Sequence, residues 1–148
     1  MLFKVGFFTS LVFATFSSNA NSSITDELFS GAWSCTNSGF VSMKTTTVYH
    51  IDGSYEGAIT AIVDMDGKKP RIKIFIKGTW RIEDDTLYEL NDGFKLIPMN
   101  QAGTTVLEVI ENDLAKMEAL SETNIISIED KVYTYVRDNG GEKSCYRP

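Results

Sequence analysis

The residues that could carry chemistry in this chain are few and scattered. His50 is the only histidine, so any pair of a nucleophile and a histidine would have to use it. The alternating pattern around it places His50 on the face opposite Tyr49 and Ile51, where we expect it to be exposed. Nothing near it resembles a nucleophile elbow or a catalytic triad. We therefore predict no catalytic residue and no cofactor.

Two acidic clusters are better explained as turns than as sites. Asp64-Met65-Asp66-Gly67 begins like a calcium-binding loop, but the later acidic ligands are missing at the required spacing. Glu83-Asp84-Asp85 falls at a predicted hairpin tip, where carboxylates are usually solvated. We predict no metal site. The enzyme alternative is a hydrolase that works with carboxylates and tyrosines alone.

Cys35 and Cys145 are the only cysteines. In an oxidising compartment an isolated pair of this kind is most simply a disulfide, here joining the two ends of the folded region. The alternatives are two free thiols or half of a metal site. A metal site would need more histidine or cysteine than the chain has, so we predict the disulfide.

The segment Met1 to Ala20 has the three parts of a secretory signal peptide. Lys4 supplies the positive charge, Val5 to Phe16 is almost wholly apolar, and Ser18-Asn19-Ala20 supplies small residues for cleavage after Ala20. A membrane anchor is the alternative, but a spanning helix needs roughly 20 apolar residues. We predict a periplasmic or secreted protein whose residues 21–148 form a single domain.

The net charge of the chain indicates which partners it can bind. A net charge of −6 argues against a nucleic-acid partner, because phosphate binding needs a basic surface. A basic strip nevertheless runs through the middle of the chain, at Lys68, Lys69, Arg71, Lys73 and Lys77. It either meets an anionic lipid headgroup or an acidic partner, or it is the wet face of a strand whose charges discourage edge pairing.

Most of the region after residue 30 alternates like short strands broken by turns. The predicted strands are Phe40–Ile51, Tyr55–Met65, Arg71–Ile82, Thr86–Leu90, Phe94–Met99, Ile125–Ile128 and Lys131–Arg137. Asn91-Asp92-Gly93 is predicted as the turn of a hairpin.

One segment has helical spacing. Leu107, Ile110, Leu114 and Met117 predict a helix near residues 105–120 that begins at a Thr105–Glu108 capping box; residues 104–110 could instead form a strand. Seven or eight strands and one helix predict a mainly β protein, a small antiparallel barrel or sandwich.

Two short segments resemble known proteins. Gly31-Ala32-Trp33 on the first strand and Arg137 near the end of a late strand resemble the lipocalin-like (calycin) families. The segment Gly78 to Leu87 is similar to a strand-turn-strand unit of bacterial lipocalin-like domains. The resemblance implies a barrel whose base is closed by the indole of Trp33 beneath Arg137, and it favours a bacterial periplasm.

The inward-facing side chains suggest where a ligand would lie. Tyr49, Tyr55, Ile59 and Trp80 either fill the barrel or line a cavity in it. We therefore predict a non-enzymatic exported protein that holds a small apolar or amphipathic ligand among these four residues. The alternative is an envelope inhibitor of a protease or lysozyme, acting through the polar segment Asn21 to Glu27.

Overall fold

The computed structural model describes residues 24–148. The predicted signal peptide, residues 1–20, lies outside them. The elements, in chain order, are α1 (Asp26–Phe29), β1 (Gly31–Asn37), β2 (Val41–Tyr49), β3 (Ser54–Val63), β4 (Arg71–Glu83), β5 (Thr86–Pro98), α2 (Gln101–Ala115), β6 (Leu120–Glu129), β7 (Val132–Val136) and β8 (Glu142–Tyr146). In this part of the chain, neither helix is long and apolar enough to span a bilayer.

The eight strands form a closed antiparallel barrel in which each strand pairs with the next along the chain. Closure removes the free sheet edges that a short open sheet would expose. The predicted mainly β barrel with one main helix is confirmed. We call the end that carries α1 the closed end and the end that carries α2 the open end.

The seam between β1 and β8 is the shortest strand pairing in the barrel. Only Ser34 with Tyr146 and Cys35 with Cys145 are paired across it. The predicted disulfide is confirmed, and it joins these two facing cysteines, whose Cα atoms are 4.4 Å apart. In the chain-entropy model, a cross-link over so long a loop stabilises the fold by about 4–5 kcal/mol. The covalent bond therefore reinforces the part of the wall with the fewest hydrogen bonds.

The predicted hairpin around Asn91-Asp92-Gly93 is wrong. β5 runs unbroken through these residues as the partner of β4, and they form a bulge at which the pairing shifts between Lys77 and Gly78. The Asn91 side chain accepts a hydrogen bond from the Gly93 amide at 2.7 Å, which holds the extra residue. A bulge uses the same residue types as a tight turn, and here the long partner strand decides between them.

The predicted start of the main helix is also wrong, since α2 begins at Gln101 and ends at Ala115. Asn100 is the N-cap: its side chain accepts hydrogen bonds from the Gly103 amide at 2.7 Å and the Arg71 amide at 3.1 Å. It also donates to the Lys69 carbonyl at 2.9 Å. One asparagine therefore both starts the helix and ties it to the turn before β4. Thr105 lies inside the helix, where a capping box cannot form.

Candidate ligand-binding site at the open end of the barrel

The closed half of the barrel is filled with aromatic side chains. Phe29, from α1, is fully buried and its ring lies 4.9–5.7 Å from the rings of Trp33, Tyr49, Trp80 and Tyr133. Contacts at these distances and angles are favourable for aromatic pairs beyond the area they bury. α1 therefore acts as a plug that completes the hydrophobic core at this end.

Three of the four residues predicted to contact a ligand lie in this filled half. Tyr49, Tyr55 and Trp80 are only 4–6% exposed and belong to the aromatic core. The Trp80 indole also donates to the His50 carbonyl at 2.9 Å, which fixes its orientation. Ile59 is different, because it lies further along β3, on the inner face, and is half-buried. None of the four predicted residues lines the cavities found at the open end of the barrel.

The base of the barrel is closed by an arginine, but it is not Arg137. The Arg147 guanidinium lies 4.0 Å from the centre of the Trp33 ring. It also donates to three backbone carbonyls, those of Leu28 at 2.8 Å, Asp130 at 2.9 Å and Ser30 at 3.0 Å. Arg147 thus links α1, the loop between β6 and β7, and the end of β8.

The position of Arg137 follows from the direction of β7. This strand runs from the closed end to the open end, so a residue just after it lies at the barrel mouth. β8 runs back, and Arg147 follows it at the base. Trp33 is buried at the base as the resemblance implied, with its indole donating to the Phe29 carbonyl at 2.7 Å. The prediction that Arg137 closes the base is therefore wrong, and Arg147 is the residue that closes it.

The inner face of the open half is only partly covered. On the β3–β4 side of this half the inward-facing Ala61, Ile72 and Ile74 are buried, whereas a second set of inward-facing residues is half-buried. They are Met43, Thr45, Ile59, Ile76, Leu96, Thr123, Tyr135 and Lys143. The barrel thus changes along its axis from a filled core to an open, mixed surface, which is the usual composition of a ligand site.

Two adjoining cavities lie at this mouth. One, of about 170 Å³, is lined by residues of β1, β2, β7 and β8 that include Thr45 and Lys143. The other, of about 340 Å³, lies between the start of β6 and the turn after β7 and includes Thr123 and Asp138. Arg137 and Tyr135 line both. Neither Arg137 nor Lys143 forms an ion pair within residues 24–148.

A polar cluster marks the boundary between the two halves. The Glu89 carboxylate, facing inward on β5, accepts a hydrogen bond from the Tyr49 hydroxyl at 2.7 Å and one from the Ser121 hydroxyl at 3.2 Å. Burial raises the pKa of Glu89 above its ordinary value, and the two hydrogen bonds oppose part of that rise. Burial and the neighbouring Glu89 together raise the pKa of Tyr49. This cluster forms a polar floor beneath the open half.

The other residues considered from the sequence lie away from this mouth. His50 is exposed in the turn after β2, with its Nε2 3.8 Å from Glu56. Asp64 to Gly67 forms the turn between β3 and β4, and Asp84 and Asp85 form the turn after β4. Over residues 24–148 no group of three or more His, Cys, Asp or Glu side chains is placed to hold a metal ion.

The segment predicted to act as an inhibitory plug is attached to the closed end. The Ile24 amide donates to the Asp85 carboxylate at 3.0 Å, and Asp26 and Glu27 form the first turn of α1. Residues 21–23 lie outside the described range. The described part of this segment therefore packs on its own barrel.

Sequence reasoning missed Glu89, Lys143 and Arg147. A signal for Glu89 was present, since an acidic residue two positions after Leu87 interrupts the apolar face of a strand. Lys143 could not be assigned to the inner face without knowing that it shares that face with Cys145 on β8. Arg147 needed the closure of the barrel, which brings the end of the chain beneath Trp33.

The fold defines the class of protein as a closed eight-stranded antiparallel barrel, plugged at one end by a short helix and an arginine. No protein-family model matches the chain, and no curated protein sequence matches it.

Proposed function

We propose that this is an exported, non-enzymatic binding protein that holds a small amphipathic ligand in the open half of a lipocalin-like barrel. The observation that carries the proposal is the contrast between the filled aromatic half and the two cavities that remain at the open end, beside half-buried inward-facing residues such as Thr45, Tyr135 and Lys143. A protein that needed its interior only for stability would gain from filling both halves. The disulfide is compatible with an oxidising compartment outside the cytoplasm.

The chemistry of the open half suggests how the ligand would be oriented. Met43 and the ring of Tyr135 offer apolar contacts, whereas Arg137 and Lys143 offer two cations at the mouth that lack ion-pair partners in the described chain. An amphipathic molecule would place its apolar part toward the inner wall and its polar or anionic end at the rim. The arginine could bind a carboxylate or phosphate through two parallel hydrogen bonds.

The experiment is native mass spectrometry of the protein purified from its own source, before and after denaturation. We expect a reproducible small-molecule mass that is released on unfolding, together with a chain two protons lighter than its reduced mass. The released compound is then titrated back onto the protein.

Two neighbouring threonines provide a matched pair of variants. Thr45 faces inward and lines the 170 Å³ cavity, whereas Thr46, equally half-buried, faces outward on the same strand. We expect Thr45→Trp to fill the mouth and remove binding, and Thr46→Trp to leave binding of the released compound unchanged. A chain that carries no small molecule, or a Thr45→Trp variant that still binds it, would contradict the proposal.

A further inference from the structure

The outer face of β2–β5 carries a charge opposite to that of the protein as a whole. The strand register places Lys44, Arg71, Lys73, Lys77 and Lys95 on this face, with Glu56 among them; Glu83 lies further along β4, where it pairs with Arg81. The whole chain has a net charge of −6. We call this set, together with Phe75 and Ile97, the basic face.

The cations of the basic face are free of ion pairs. Within residues 24–148, the acidic residue of this face lies near His50, and the other two ion pairs are Arg81–Glu83 and Lys116–Asp113. A lysine on an acidic protein could be neutralised at little cost by neighbouring carboxylates, and here it is not. The positive potential of the basic face is therefore available to a partner.

Protection of a strand edge does not explain these charges. Arg71, Lys73 and Lys77 lie on β4, which is paired along this stretch with β3 on one side and β5 on the other. Charges that prevent edge-to-edge association are useful on an edge strand and have no such role in the middle of a sheet. The strip does lie on the solvent-facing side of β4, as the alternative reading of the sequence expected, but protection of an edge does not account for its charges there.

Apolar groups lie among the cations. Phe75 is 37% exposed, with Lys73 and Lys77 two positions to either side on β4 and Lys95 paired opposite it on β5. The Lys73 ammonium lies 5.2 Å from the centre of the Phe75 ring. Ile97, paired opposite Lys73, is 41% exposed. An aromatic ring surrounded by lysines is suited to the boundary between headgroups and acyl chains.

The centre of the basic face is a groove of about 690 Å³. Val48, Ala58 and Phe75 supply apolar wall, and Lys77 and Lys95 also line the groove. The cations extend beyond the groove onto β2, β4 and β5, a width of about 15 Å at the usual strand spacing. The cations therefore cover an area of the surface. This arrangement matches a partner whose negative charges also form a flat array.

We propose that the basic face docks the protein onto a membrane surface rich in anionic phospholipid. Lysines and Arg71 contact headgroup phosphates, while Phe75 and Ile97 enter the interface and the groove takes apolar lipid groups. A single extended acidic peptide fits less well, because the cations are spread across β2, β4 and β5 and do not follow one line. This inference goes beyond the ligand site, which lies on the opposite side of the barrel wall.

The test is co-sedimentation of the purified protein, its N terminus defined by mass spectrometry, with vesicles. One set is phosphatidylcholine alone, and the other contains 30 mol% phosphatidylglycerol, as the chosen probe composition. We expect binding to the anionic vesicles, little binding to the neutral ones, and release as salt is raised, since screening shortens the reach of exposed charges.

Two pairs of lysines provide matched variants with the same net charge. Lys77→Gln with Lys95→Gln should weaken binding to anionic vesicles roughly 25-fold, from about fivefold for each lysine near the surface. Lys116→Gln with Lys131→Gln, at the end of α2 and at the closed end, should leave binding close to that of the wild type. Equal losses in both double variants, or no binding by the wild type, would overturn the proposal.

Two further measurements separate the outcomes. Phe75→Trp should give a blue shift in tryptophan emission with anionic vesicles but not with neutral ones, because the native Trp33 and Trp80 are buried. Binding to soluble poly-glutamate as tight as to anionic vesicles would assign the basic face to acidic polypeptides and overturn the lipid assignment. Thr45→Trp should leave vesicle binding unchanged, so failure at the ligand site and failure at the basic face can be distinguished.

Discussion

Replacing Arg147 by alanine should destabilise the barrel more than the loss of any exposed side chain. Its guanidinium stacks on Trp33 at 4.0 Å and donates to the carbonyls of Leu28, Ser30 and Asp130. These contacts join α1, the β6–β7 loop and the last strand. Without them, we expect α1 to detach more easily and the base of the aromatic core to become accessible to water.

The size of the effect follows from the contacts. Hydrogen bonds to charged groups contribute about 1.5–3 kcal/mol each, and a cation on an aromatic ring about 0.5–2 kcal/mol. Arg147 is half-buried, so water can replace part of what is lost and the lower values apply. We expect Arg147→Ala to lower the free energy of unfolding by about 3 kcal/mol, out of the roughly 5–15 kcal/mol that a domain has. Arg147→Lys should recover about 1 kcal/mol of this free energy, because the lysine keeps the positive charge and can form one of the three hydrogen bonds.

The assay is urea unfolding of the oxidised protein, followed by tryptophan fluorescence. Arg137→Ala is the control, since Arg137 lies at the barrel mouth and should change the free energy of unfolding by no more than about 0.5 kcal/mol. The midpoint for Arg147→Ala should fall with an unchanged m-value. An Arg147→Ala protein as stable as the wild type, or an equal loss in Arg137→Ala, would refute the assignment of the closing arginine.

Two other predictions concern the interior of the wall. Because burial raises the pKa of Glu89, the folded state binds its proton more tightly, so wild-type stability should fall as pH rises from the ordinary value of 4.5 through the raised pKa. The assay is the urea midpoint measured as a function of pH. The fall in the midpoint should disappear in Glu89→Gln and remain in Glu122→Gln, where the replaced residue is exposed. A fall of the same size in Glu89→Gln would contradict the argument. Gly78→Ala should cost at least about 3 kcal/mol in the same assay, because the added Cβ would overlap the Leu90 carbonyl oxygen, whereas the Cβ of Gly141→Ala, the control, would meet only the side chain of Asn139 at 3.1 Å. A tolerated Gly78→Ala would show that the bulge can relax.

Local patterns were sufficient for the class of fold. Alternation along segments such as Arg71 to Ile82 predicted strands, because a sheet with one buried face imposes a period of two on its residues. The pairing of Cys35 with Cys145 followed from their being the only cysteines. One helical segment was recognised from its spacing, although its start depended on Asn100 bonding to the backbone of Arg71, a contact between distant residues.

Other features depended on which residues meet in space. The same three residues, Asn91-Asp92-Gly93, suit a hairpin or a bulge, and only the long pairing of β4 with β5 selects the bulge. Whether Tyr49 fills the core or faces a cavity depends on α1, whose Phe29 occupies the space beside it. The arginine beneath Trp33 was assigned to the wrong strand because the direction in which each of the last two strands runs is set by their pairing in the barrel. The sequence by itself determined most of the strands, the disulfide and the basic strip, which are local or compositional. The tertiary structure decided the filled half, the open half and the closing arginine, because each depends on side chains from opposite ends of the chain meeting inside a closed barrel.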